Sequence, residues 1–347
     1  MNTVLEELPR SIKEADAAAD RDNEVLQRVL AERRGREGTR VSTSGPSERN
    51  VVALEATDFL GLALPPRENL LSPWLPNQGL CMAHGPRGVG KTMWELGIAV
   101  AVATGTKFLN WEAPKPAGVL LLDGEMPANT MQERLVRAIA SAGVDLLAPL
   151  RIVTPDLQPR EQGSLNLADE SWQDALEPLL DGISLIICDN ISTLVRGGRE
   201  NESESWGAAQ GWALRMRASG RSVLWIHHSG KGGDQRGTSR REDVLDTVIA
   251  LRRPPDYEAS EGAHFELTYT KSRGFYGDDA EPLDVRLDTM PDGRQEWTWA
   301  KLEGVSEAKI GELKQSGMSV REIGNELGLS KSAVHRRLKA LGMEGGK

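Results

Sequence analysis

Residues 79–105 read GLCMAHGPRGVGKTMWELGIAVAVATG. A short apolar run leads into a glycine-rich turn, and the turn opens onto a run of Ala, Val, Ile and Leu with no proline. That is a buried strand, a loop and a helix in direct succession. The loop, GPRGVGKT at 85–92, fits the pattern G-x-x-x-x-G-K-[ST] in full. Gly85, Gly88 and Gly90 let backbone N–H groups wrap phosphate oxygens without Cβ clashes, with Pro86, Arg87 and Val89 completing the turn. The helix that starts near Lys91 points its positive end at the same place. Lys91 is placed to reach the β- and γ-phosphates of a nucleotide, and the Thr92 hydroxyl to ligate Mg²⁺. The expected ligands are ATP and Mg²⁺. A plain glycine-rich hairpin is the alternative, and a strand before the loop with a helix after it disfavours that.

The same alternation continues along the chain. Further strand candidates are AGVLLLDGE at 117–125, LRIVTP at 150–155, ISLIICDN at 183–190, RSVLWIHHS at 221–229 and DTVIALRR at 246–253. Helical segments start near Thr92, Asn129, Asp169 and Ser205. Strands and helices in alternation predict an α/β fold with a mainly parallel sheet covered on both faces. After Pro254 the pattern changes to HFELTYTKSRG, EPLDVRLDT and QEWTWAKLEG, which predicts an antiparallel extension.

Two carboxylate positions join the loop. The apolar strand ISLIICDN ends in Asp189, where an unpaired carboxylate is costly unless it faces a metal or a partner. Asp189 is the candidate metal-side acid, and capping the next helix is its alternative role. VLLLDGEMP places Asp123 and Glu125 two apart at a strand end, so both can point at one crevice and either can orient a water. A further strand, SVLWIHHSGK, ends in His227 and His228.

The 347 residues carry a net charge of −9, with 39% hydrophobic and 27% charged residues. That balance excludes a uniformly basic nucleic-acid coat and leaves local basic loops, whose contacts would be salt-sensitive. No apolar run reaches membrane-span length and the N-terminus lacks an apolar signal region, so a cytoplasmic protein without a membrane partner is expected. Cys81 and Cys188 sit in apolar strands and read as small core residues. Residues 1–30 read as an amphipathic helix at best, and 31–50 as a flexible linker with almost nothing to bury.

At the other end, VSEAKIGELKQSGMSVREIGNELGLSKSAVHRRLKALGM at 305–343 reads as a helix-turn-helix. Ile310 and Leu313 form one apolar face, and Val320, Ile323 and Leu327 the next. Gly324 and Gly328 suit a close crossing and a turn, and Ser330 suits the cap of a third helix whose Val334 and Leu338 face inward. Lys331, Ser332, His335, Arg336 and Lys339 then face outward, a composition suited to phosphate and major-groove contact with duplex DNA. A helical hairpin for protein contact is the alternative. The expected organisation is an extension over 1–50, a nucleotide-binding domain over 51–303 and this module over 304–347.

Five pieces in order, GPRGVGKT, LLLDGEMP, IICDNISTLVRGGRENES, IHHSGKGGDQRGTSRRED and YTKSRG, resemble the RecA/DnaB superfamily. They are most similar to the plasmid- and phage-encoded RepA-type hexameric replicative helicases. The resemblance spans roughly residues 51–300 and implies a RecA-like core. It makes Glu125 the catalytic carboxylate, with Asp123 the runner-up, and His228 the counterpart of a γ-phosphate sensor. In such rings the site lies between subunits and a neighbour inserts basic residues, here Arg236 or the pair Lys271 and Arg273. The loops at 196–205 and 229–241 correspond to loops that grip single-stranded DNA, with Arg196, Arg199, Lys231, Arg240 and Arg241 as backbone contacts. The function so implied is an ATP-dependent DNA motor, a homo-hexameric helicase of a mobile element. A recombination mediator or DNA-bound switch of the same fold is the main rival, and a transcription factor with a vestigial loop the third class. The helix-turn-helix resembles the DNA-binding end of resolvases and regulators and departs from the minimal RepA-type chain.

Overall fold

The computed structural model describes residues 53–343 other than 65, 198–201, 230–241, 255–256, 291–293, 303–306, 328–333, 336–337 and 340. Two units make up the chain, residues 1–67 and 68–347. In the first, the described part holds one short helix, α1 (Ala56–Leu60). The expected helix and linker over 1–50 lie outside the described residues.

The second unit opens on a small antiparallel pair, β1 (Asn69–Leu71) and β2 (Leu75–Pro76), inside a proline-punctuated stretch too short for any periodicity to register. Then come β3 (Leu80–Gly85), α2 (Lys91–Thr104), a tight pair β4 (Lys107–Phe108) and β5 (Trp111–Glu112), β6 (Gly118–Asp123) and α3 (Ala128–Ala142). They are followed by β7 (Leu150–Val153), α4 (Glu170–Leu176), β8 (Ile183–Asp189), α5 (Ile191–Leu194), α6 (Glu202–Ala218), β9 (Ser222–His228) and β10 (Thr247–Arg252). The six long-run strands pair in parallel in the order β10, β3, β9, β8, β6, β7. On the outer edge of β10 an antiparallel extension adds β11 (Ala263–Ser272), β12 (Leu283–Thr289) and β13 (Gln295–Lys301). The expected sheet and its extension are both present, with ends within a few residues.

Alternating side chains of each parallel strand enter different cores, which is why these strands are apolar throughout rather than every second residue. Cys81, Ala83, Leu185 and Ile187 pack under α2 and α3, whereas Leu80, Met82, Ile186 and Cys188 pack under α4 and α6. Both cysteines are buried thiols. Helix α2 is buried on nearly all sides, as befits a helix between a sheet and further elements. Around it Trp74, Trp94 and Trp111 form a fully buried cluster with ring centroids 5.2–6.0 Å apart. This cluster fixes the helix that carries Lys91 at its first residue.

Near the C-terminus, α7 (Glu307–Gln315) and α8 (Val320–Glu326) bury Ile310 and Ile323 against Val334 and Leu338, with Leu313, Val320 and Leu327 packed alongside. Ser319 caps α8 through a reciprocal pair with Glu322, a signal the pattern reading passed over. Gly324 is buried; Gly328 and Ser330 lie outside the described residues. Among the described residues no helix is long and apolar enough to cross a membrane.

Gly97 tests the packing of α2. Alanine in a helix interior normally improves on glycine by about 1 kcal/mol. Here a Cβ would stand 2.2 Å from the buried Phe108 ring. Gly97→Ala is therefore expected to lower stability by about 1–3 kcal/mol in urea unfolding; a more stable variant would contradict this packing.

Candidate functional site

The chain turns from β3 into α2 through residues 86–90, and the turn is possible because of two glycines. Gly88 (φ 75°) and Gly90 (φ 113°) occupy the left-handed region that side chains resist. Gly90 also lies so close to β11 that a Cβ would come 2.9 Å from that of Ala263. Lys91 folds back over the turn, its Nζ donating to the carbonyls of Gly85 at 2.9 Å and Pro86 at 2.8 Å. Burial draws its ammonium down to about 8, partly opposed by the charges of Asp189, Glu95 and Glu125. At neutral pH the group is still mostly a cation.

β8 delivers Asp189 to the same point, in register with Asp123 on β6. The Thr92 hydroxyl donates to Asp189 Oδ2 at 3.1 Å. Behind them lies a residue that the motifs did not single out. Glu95, one helical turn after Lys91, is fully buried, and neither of its carboxyl oxygens meets a donor among the described residues. Burial first, then the charge of Asp189 and a hydrogen bond to it, push the Glu95 carboxyl well above its usual range. Burial raises Asp189 as well, while hydrogen bonds from Glu95 and Thr92 pull it back. The arrangement fits a protonated Glu95 that donates to Asp189. Two facing carboxylates without that proton would be an uncompensated buried charge pair. Its signal in the sequence was a single glutamate in an otherwise apolar helix.

The two acids at the tip of β6 divide their roles. Asp123 accepts from the backbone N–H of Glu125 at 3.3 Å and of Met126 at 3.0 Å, so it caps the loop. Glu125 projects into the cleft with its side chain half-exposed, 3.7 Å from His228 Nε2 at the end of β9. That separation is longer than a hydrogen bond. Burial and the Lys91 cation lower His228, which is therefore neutral at pH 7. The cleft, about 600 Å³, is lined by Arg87, Gly88, Gly90, Lys91, Thr92, Glu125, Asp189 and His228, and beyond the first turn of α2 by residues of α3. His84, next to the loop, bonds Ser229 Oγ through Nδ1 at 3.1 Å, and burial with the nearby Arg252 and Lys91 cations holds it down at about 4.

Other candidates lie elsewhere. Lys271 and Arg273 do converge, but on backbone carbonyls: Lys271 Nζ donates to those of Glu242 and Asp243, and Arg273 to that of Asp243 at 3.2 Å. Arg273 stands one residue beyond the end of β11 rather than on the strand. Neither lines the cleft of its own chain. Arg196 donates to the carbonyls of Ser164 at 2.7 Å and Leu165 at 3.0 Å, pinning its loop. His335 and Lys339 are exposed on the helical C-terminal segment whose Val334 and Leu338 point inward. Arg199, Lys231, Arg236, Arg240, Arg241, Lys331, Ser332 and Arg336 lie outside the described residues.

A family model described as an AAA domain matches residues 46–234, more than half of the chain. The chain belongs to the AAA domain family. Its core is RecA-like, a mostly parallel sheet with antiparallel strands added. A second model, described as a winged helix-turn-helix DNA-binding domain, matches residues 313–345 of this AAA protein. Among solved structures it is similar to a KaiC-like protein from Pyrococcus horikoshii OT3, at 15% identity over 66% of this chain and 93% of that one, with a TM-score of 0.45. The RadB recombinase matches at 15% identity over 62% and 90%, with a TM-score of 0.43. The flagellar accessory protein FlaH from Methanocaldococcus jannaschii matches at 11% identity over 65% and 91%, also at 0.43.

The residues present fit Mg²⁺. Thr92 and Asp189 put two hard oxygen donors side by side at the loop. Among the described residues no three acidic, His or Cys side chains form a metal cage, so the remaining ligands would be phosphate oxygens and water, as this ion favours.

The Asp123 cap makes a pH prediction. Burial pushes its carboxyl from 3.8 up to about 6, against the pull of two backbone N–H groups. The folded protein thus holds a proton that the unfolded chain releases, and the associated stability is present below about 4 and lost as pH rises through about 6. Relative to Asp123→Asn, the wild type should lose stability across that window in urea unfolding. A difference that does not vary with pH would show that Asp123 does not titrate there.

Proposed function

We propose that this chain is an ATP-hydrolysing DNA motor, a ring-forming replicative helicase of a mobile element that engages duplex DNA through its C-terminal module. The observation that carries the hydrolytic part is Glu125, a carboxylate with no hydrogen-bond donor among the described residues, in the cleft that also holds Lys91, Thr92 and Asp189. Backbone N–H groups of residues 86–92 bind the phosphates, and the Lys91 ammonium exchanges its carbonyl partners for β- and γ-phosphate oxygens. Thr92 and Asp189 would hold Mg²⁺, which would supply charge neutralisation to the triphosphate. Glu125 orients a water for in-line attack and accepts its proton; His228, neutral and beside it, registers whether the γ-phosphate is present. Lys271 and Arg273, turned away from their own cleft, are suited to reach that of a neighbouring copy in a hexamer, with Arg236 the alternative. Single-stranded DNA would be gripped by the stretches at 196–205, whose last four residues open α6 rather than continue a loop, and 229–241, without aromatic stacking.

A second reading has its own support. The helix-turn-helix match and the tethering of Arg196 to Ser164 and Leu165 favour a DNA-bound ATP switch or recombination mediator that does not separate strands. An ATPase and strand-displacement assay, with and without single-stranded DNA, separates the two. The helicase reading predicts stimulated hydrolysis and a displaced strand, and slow hydrolysis without displacement supports the switch. A chain ending near Gly304 should keep hydrolysis and lose duplex binding.

Lys91→Ala is expected to abolish hydrolysis. Glu125→Gln should still bind ATP while turnover falls on the order of a hundredfold or more; normal turnover would return the role to Asp123. Arg273→Ala should lose hydrolysis yet bind nucleotide, and mixing it with Lys91→Ala protein should restore part of the activity. No rescue would count against a site shared between copies.

A further inference from the structure

The turn at 86–90 meets the crossover from β10 to β11 at both of its left-handed glycines. Gly90 is pressed against the start of β11, where a Cβ would stand 2.9 Å from that of Ala263 and 3.4 Å from the Phe265 ring. Arg253, one residue past β10, donates to the Gly88 carbonyl at 3.2 Å. The crossover is therefore a strap with one end on each glycine. Its Arg253 end is exposed. There the guanidinium lies 4.3 Å from the centre of the Tyr257 ring, and the Tyr257 hydroxyl donates to the Gly262 carbonyl at 3.0 Å. Exposed contacts of this kind contribute little singly.

The other end is buried. His264 has a carboxylate on each ring nitrogen, with Nδ1 3.1 Å from Glu261 Oε2 and Nε2 2.7 Å from Asp284 Oδ1. The hydrogen bond with His264 holds the Glu261 carboxyl below its usual range. Arg286, opposite His264 on β12, stands 3.6 Å from the Asp284 carboxylate and 3.9 Å from that of Glu261. Strand alternation explains why the anchor is polar. Phe265 and Leu267 enter the core under α2, so His264 and Glu266 face the opposite side of the sheet. No described residue of β11, β12 or β13 belongs to the core under α4 and α6, so that core does not hold β11 from behind. We propose that His264 is a positioning residue for the phosphate loop: by bridging Glu261 and Asp284 it fixes the start of β11 against Gly90 and anchors the strap that reaches Gly88. This deepens the nucleotide reading above and rests on it.

Amide hydrogen exchange and titration calorimetry on the full-length chain test it. His264→Leu removes both hydrogen bonds and should raise exchange across residues 87–91 of the ligand-free protein, while β6 and β8 keep their protection. It should weaken Mg-ATP and Mg-tripolyphosphate alike, on the order of tenfold, because the loop holds phosphates. KM for ATP should rise by the same factor with turnover at saturation within about twofold, since Glu125 and Asp189 come from other strands. His264→Gln, which keeps one amide donor, should recover part of the loss. Glu261→Ala removes one arm from a more exposed position; it should repeat the pattern at smaller size and decides the matter if the leucine variant does not fold. Unchanged exchange at 87–91, exchange that rises equally in every strand, or a loss confined to ATP would each overturn the proposal. A wild type that binds neither ligand removes the nucleotide reading, and the exchange comparison still decides whether His264 holds the loop.

Discussion

One buried carboxylate organises this molecule. Asp189 ends the strand β8 almost out of contact with water, and among the described residues no ion pair joins a cation to it. It is tolerated because Thr92 donates to it from one side, and because the Glu95 carboxyl, itself pushed toward its neutral form, stands behind it. The loop, the first turn of α2 and the tip of the parallel sheet are thereby fitted to one another around a pocket of negative charge. Such a pocket is stable as it stands but is better satisfied by a divalent cation carrying phosphates.

Packing holds those parts in register. α2 begins at Lys91 and is clamped by three tryptophans and by the Phe108 ring against Gly97, so the lysine and threonine at its tip have little freedom. The strand tips are fixed by the ladder that sets Asp123 beside Asp189, and Asp123 then ties down the loop that carries Glu125. Preorganisation of this kind is what phosphoryl transfer asks of a protein, since positioning and electrostatics supply nearly all the catalysis. Glu125, half-exposed, faces the same cleft with His228 beside it.

The sequence was most legible where one physical demand dominates. Phosphate wrapping requires glycines at fixed spacing, and GPRGVGKT announced its loop, its strand and its helix together. Parallel strands buried on two faces read as unbroken apolar runs, so β3, β6, β8, β9 and β10 were all visible, as was the change to antiparallel pairing after Pro254. The C-terminal helices were legible from their apolar spacing. Roles that depend on which way a polar group points were not. Asp123 and Glu125 look interchangeable two apart on a strand, and it is the N–H groups of Glu125 and Met126 that make Asp123 the cap and leave Glu125 in the cleft. Glu95 belongs to no motif, because its meaning comes from what other elements place around it. β1, β2, β4 and β5 escaped because two or three residues carry no period.

The most direct measurement is the structure of the chain crystallised with a non-hydrolysable ATP analogue and magnesium. The account predicts a triphosphate wrapped by residues 85–92, with the metal between the Thr92 hydroxyl and the Asp189 carboxylate. Saturating analogue with those residues empty, or a triphosphate seated away from Asp189, would contradict it.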